Sequence, residues 1–84
     1  MIEFDYEGLH RVVAPYCYGV SSQGAEILRA IQVGGSSRSG SFGFGKLWHV
    51  GKMQKLHNTD ERFVPTDPNY DPNDNAMREI YCRV

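Results

Sequence analysis

Eighty-four residues hold one domain, residues 1–84, since single cores usually need roughly 50–200 residues. Nine Lys and Arg against ten Asp and Glu give a formal charge of -1, which excludes the global positive field of a dedicated duplex-DNA binder and makes any nucleic-acid contact a local one. With 40% apolar and 23% charged residues the chain has the composition of a folding globular protein, no apolar run approaches the roughly 18 residues of a membrane helix, and MIEFDYEG has no secretory pattern, so a cytoplasmic chain without membrane contact is expected.

Ile2, Phe4 and Tyr6 alternate with Glu3, Asp5 and Glu7, the period of a strand with one apolar and one acidic face. Glu7-Gly8 interrupts the alternation and predicts a tight hairpin turn. Leu9–Val20 is rich in β-branched and aromatic residues and reads as a long second strand, with Pro15 marking an edge position or a bulge. After the turn cluster 21–24, AEILRAIQV admits a helical reading, but turn signals at both ends leave nine residues and favour a strand. Gly34 to Ser41 is a Gly/Ser-rich loop. FGFGKLWHV and KMQKLHN supply a fourth and a fifth strand. TDERFVPTDPNYDPNDN holds three of the four prolines and should wrap the surface, anchored by Phe63 and Tyr70; Ile80–Val84 closes as a sixth strand on an open sheet edge. Five to six short strands with a Pro-rich C-terminal loop predict an all-β small barrel.

Cys17 and Cys82 are expected as buried free thiols, because a chain without an export signal keeps its thiols reduced. Neither they nor His10, His49 and His57 have the spacing of a metal site, so no metal or other cofactor is expected. Asp67-x-Asn69-x-Asp71 opens like a calcium loop, but Pro72 stands at the invariant Gly position, and Asx-turn chemistry is the better reading. No nucleophile elbow or comparable signature accompanies any Ser, Cys or His, which points away from an enzyme.

The ordered series Ile2-x-Phe4-x-Tyr6-x-Gly8-x-x-Arg11-x-Val13-x-Pro15-Tyr16-x-Tyr18-Gly19, then Leu28-Arg29-Ala30-x-Gln32 and Lys46-Leu47-Trp48, resembles the WYL domain. The match covers residues 2 to about 63, and the Trp-Tyr-Leu signature of the family falls here on Glu26-Ile27-Leu28. The resemblance implies an SH3-like, Sm-like barrel with a regulatory ligand-binding role. It also implies nucleic acid or nucleotide-derived ligands, in the setting of bacterial transcription control or defence.

The candidate ligand-binding residues follow from charge in apolar strands beside a Gly/Ser loop. Arg11 and Arg29 each sit in an apolar run, where a guanidinium needs a carboxylate of its own chain or an outside anion. For Arg29 the two options are a first-strand carboxylate and a ligand phosphate. Arg38 with Ser37 and Ser39 forms the tip of the 34–41 loop, which is either a phosphate-binding concavity or a plain hairpin loop. Lys46 adds charge, Gln32 orientation, and Tyr18 a stacking ring; Tyr16 and Tyr18 share parity and are the candidate exposed stripe, while core filling competes for every aromatic. The function expected is non-enzymatic binding of single-stranded nucleic acid or nucleotides. The alternative is a protein-interaction module, with homo-oligomers formed through an edge strand.

Overall fold

The computed structural model describes residues 1–35 and 46–84, which form one antiparallel sheet of six strands and no α-helix. The strands are β1 (Ile2–Tyr6), β2 (Leu9–Ser21), β3 (Glu26–Gly35), β4 (Leu47–His49), β5 (Gln54–Asn58) and β6 (Met77–Arg83), with a 3₁₀ turn at Val50–Lys52 between β4 and β5. Strand order is β4-β3-β2-β1-β5, and β6 pairs with β2. Among the described residues no strand pairing joins β4 to β5, so the sheet is not closed.

The first hairpin follows its sequence closely. Glu7 and Gly8 both have positive φ, 53° and 78°, the type I′ geometry whose twist matches the flanking strands, and Tyr6 pairs with Leu9. The 13-residue β2 is the shared strand. Its first half pairs with β1, its second half with β6, and its other edge with β3 from Arg11 to Val20. The register shifts between Pro15 and Cys17, where the missing Pro N–H coincides with a bulge. The sixth strand begins three residues earlier than Ile80 and takes the stretch of β2 that β1 leaves unpaired.

Gly19 lets β6 approach this closely: a Cβ there would collide with the Glu79 carbonyl oxygen. The glycine is required by distance, not by its φ.

Each face of the sheet carries apolar side chains, as the alternation of Ile27 and Leu28 requires. One cluster gathers Phe4, Tyr6, Val13, Leu28, Ala30 and Trp48, with the Trp48 ring edge-on to Phe4 at 5.3 Å and to Tyr6 at 5.0 Å. The other joins Cys17, Ile27 and Met77, with Tyr70 and Ile80 against it. Phe63 and Tyr70, expected as anchors, both pack on the Tyr16 ring, at 5.3 and 5.0 Å. Between Phe63 and β6 run three Asx turns, in which Asp67, Asp71 and Asp74 accept the N–H groups of Asn69, Asn73 and Ala76.

Two sequence expectations change here. Cys17 is buried but Cys82 is exposed, because Cys82 lies on β6, which among the described residues pairs with β2 alone. Tyr16 is only 4% exposed, held under Phe63 and Tyr70, so the stripe reduces to Tyr18.

Candidate functional site

Arg11 and Lys46 both lie against the Trp48 ring, and Gln32 is bonded to Arg11. Arg11 is 0% exposed, on the same side of β2 as Val13. Its Nη1 donates to Gln32 Oε1 and its Nη2 to the Tyr6 carbonyl, both at 3.3 Å. Its guanidinium lies 5.9 Å from the Tyr6 ring centre and 5.4 Å from that of Trp48. The carboxylate contact is long: Glu7 Oε1 lies 4.0 Å from Nη2, on a half-exposed side chain. Among the described residues Arg11 Nε has no acceptor, and neither does Trp48 Nε1, although both atoms are buried. Gln32 is in turn fixed by donating from Nε2 to the Gly34 carbonyl at 2.9 Å. Lys46, at the entrance to β4, places Nζ 4.6 Å from the Trp48 ring centre. One indole therefore carries a buried cation and an exposed one, both attracted to its π face.

Arg29 belongs to a different place. It points to the opposite side of β3 from Leu28, and its partner is Asp74, not a carboxylate of the first strand. Nε donates to Oδ2 at 2.7 Å and Nη2 to Oδ1 at 3.2 Å, a bidentate pair with side chains 16% and 7% exposed. The Arg29 guanidinium, ahead of the Ala76 N–H, holds the Asp74 carboxyl below the usual carboxylate range against the opposing effect of burial.

Tyr18 stands at a third point, packed against the Phe4 cluster and edge-on to the exposed Tyr81 at 5.4 Å. Its hydroxyl donates to Glu26 Oε2 at 2.6 Å, which raises the phenol above its ordinary value. The ring borders an apolar cleft of about 240 Å³ lined by Ile2, Leu28, Val50, Met53 and Leu56. Tyr18 and Leu28 also border a neighbouring hollow of about 140 Å³, which Arg83 and Val84 help to line.

Ser37, Arg38 and Ser39 lie outside the described residues, as does most of the proposed phosphate-binding loop. Of the other five candidates, the fold joins Arg11, Gln32 and Lys46 and separates Arg29 and Tyr18 from them. Sequence reasoning missed Asp74, which is masked among turn residues 45 positions from Arg29. It also took Trp48 only as an aromatic, whereas its indole is the piece on which both cations rest. Among the described residues no group of His, Cys, Asp and Glu forms a metal site, and no helix is long and apolar enough to cross a membrane.

Comparison with protein families, with curated proteins and with solved structures finds no match for this chain.

Proposed function

We propose that this protein is a non-enzymatic binding module for single-stranded nucleic acid or a nucleotide-type ligand, built on an SH3-like barrel similar to a WYL domain and serving regulation or defence in a bacterial cytoplasm. The barrel is supported by the connection between the two outermost strands of the order. Only Val50 to Met53 separate β4 from β5, so a sheet with those strands at its opposite ends has to curl back on itself.

One observation carries the functional reading: Arg11 is wholly buried and, among the described residues, lacks a close carboxylate and keeps an N–H without an acceptor, as does the Trp48 indole against which it lies. An uncompensated buried charge is costly, and a stable fold of this size gains nothing from it. Its field survives in the low-dielectric interior and emerges where Lys46 covers the indole. In this reading Lys46 contacts the phosphate, Arg11 supplies the underlying charge, and Gln32 holds the Arg11 fork in place. Tyr18 stacks a base, and Ser37, Arg38 and Ser39 complete the set. Arg29, already matched by Asp74, serves the fold.

The test is a fluorescence anisotropy titration with labelled oligonucleotides and cyclic dinucleotides at two salt concentrations. Binding should weaken steeply with salt and disappear in Arg11→Met while the variant stays folded. Salt-independent binding, or full binding by folded Arg11→Met, refutes the reading.

The apolar lining of the Tyr18 cleft, with Leu56, Tyr81 and Val84 half-exposed around it, favours a second reading in which a protein segment or another copy of the chain docks there. That contact would be insensitive to salt and would show as a concentration-dependent mass in sedimentation.

A further inference from the structure

On the outer face of β2-β1-β5, opposite the Phe4 and Tyr6 side chains, five charged or titratable side chains meet. Glu3 and Asp5 project from β1, His10 from β2, and Lys55 and His57 from β5. Register places Asp5 opposite His10 and Glu3 opposite His57. His10 has Nδ1 3.3 Å from Asp5 Oδ1 and Nε2 3.5 Å from Glu3 Oε2. His57 has Nδ1 3.1 Å from the Lys55 carbonyl oxygen and Nε2 on Glu3 Oε1. Lys55 Nζ lies 3.8 Å from Asp5 Oδ2. The remaining charges nearby are Glu7, turned toward Arg11, and the Met1 ammonium, which donates to the Glu61 carbonyl.

Every ring nitrogen in this cluster faces an acceptor. A neutral imidazole has one N–H and can serve only one of them; the imidazolium serves both. Protonation therefore changes these rings from single links into bridges: His10 ties β2 to two carboxylates of β1, and His57 ties β1 to the backbone of β5. The strand so tied is weakly held otherwise. All five residues of β5 are exposed, among the described residues it pairs only with β1, and its register shifts at a bulge where Lys55 takes the left-handed φ of 56°. Leu56 of β5 and Ile2 of β1 both line the apolar cleft beside Tyr18.

We propose that His10 and His57 form a proton-operated clasp across β2-β1-β5, which fixes the β5 wall of the Tyr18 cleft when both rings are charged and loosens it when they are neutral. The Lys55 carbonyl and Glu3 raise His57 above its ordinary value. A raised folded value means that the contribution of His57 is complete below pH about 6.5 and is lost as pH rises through the folded value. The proposal is independent of what the cleft binds.

The experiment is amide hydrogen exchange of Leu56, His57 and Asn58 at pH 6 and pH 8, corrected for intrinsic rates, with imidazole ¹⁵N shifts on the same samples. Opening of β5 should increase about 3- to 10-fold from pH 6 to pH 8, the scale of two exposed ion pairs. Glu3→Gln should reduce that ratio to less than about 2-fold, His10→Gln should leave an intermediate ratio, and Glu79→Gln on β6 should keep the full ratio. Equal protection of β5 at both pH values, or neutral rings at pH 6, overturns the proposal. So does tight binding of Zn²⁺ that shifts both Nε2 resonances, since the cluster would then be a metal site instead of a proton clasp.

Discussion

Replacing Asp74 with Asn removes one charge from the Arg29 pair while leaving an oxygen able to accept the Ala76 N–H, so the effect isolates electrostatics from the turn. Removing one partner of a buried pair costs about 3–5 kcal/mol, and Arg29 retains 16% exposure, which lowers the expectation to about 2–4 kcal/mol at pH 6. A chain of 84 residues has a total stability of only ~4–13 kcal/mol, so the loss should move the urea midpoint visibly. The pH dependence supplies the sharper check. The folded carboxyl of Asp74 sits below its unfolded value near 3.8, so its contribution is present above pH about 4 and disappears as pH falls through the folded value. The gap between wild type and Asp74→Asn should therefore narrow in urea melts at pH 2.5 relative to pH 6. A gap under about 1 kcal/mol at pH 6, or one unchanged by acid, would show that this bidentate geometry contributes no net stability.

Arg11→Met exchanges a buried guanidinium lacking a close carboxylate for an apolar side chain of similar length; chemical denaturation should find it neutral to about 2 kcal/mol more stable, and a loss above about 2 kcal/mol would mean that the Gln32 and Tyr6 bonds outweigh desolvation. Gly19→Ala should destabilise by about 2–4 kcal/mol or detach β6, read as lost amide protection from Met77 to Arg83, because the new methyl would collide with the Glu79 carbonyl. Alkylation followed by mass spectrometry should label Cys82 rapidly in the native protein and Cys17 only after unfolding, since burial both shields the Cys17 thiol and raises its pKa; simultaneous labelling would contradict the packing on Met77.

The parts of the fold legible in the sequence are those set by neighbours in the chain. Alternation in residues 2–6 and the Glu7-Gly8 pair define β1 and its turn, and Pro15 announces the bulge in β2. Residues 26–32 become part of a strand despite fair helix formers, because β3 has partners along both edges. What the sequence does not disclose depends on distant segments. Asp74 looks like one turn residue among several until the 70–77 stretch packs over β3 and brings it to Arg29. Tyr16 and Tyr18 share a parity in the sequence yet differ in surroundings, because the bulge between Pro15 and Cys17 shifts the alternation there and Phe63 and Tyr70 cover Tyr16. The convergence of Glu3, His10 and His57 likewise needs the β1-β5 register, which rests on an unannounced bulge at Lys55.

Because one edge of β2 is divided between β1 and β6, its two halves are completed at different times during synthesis. Residues 9–13 meet their partner within the first hairpin, but residues 17–21 wait until Met77 to Arg83 have left the ribosome. Throughout that interval Tyr18 and Val20 border an open backbone row, the kind of surface that recruits chaperones or stray strands. The interval between synthesis of residues 17–21 and of Met77 to Arg83 should therefore influence how much of the protein is recovered in soluble form.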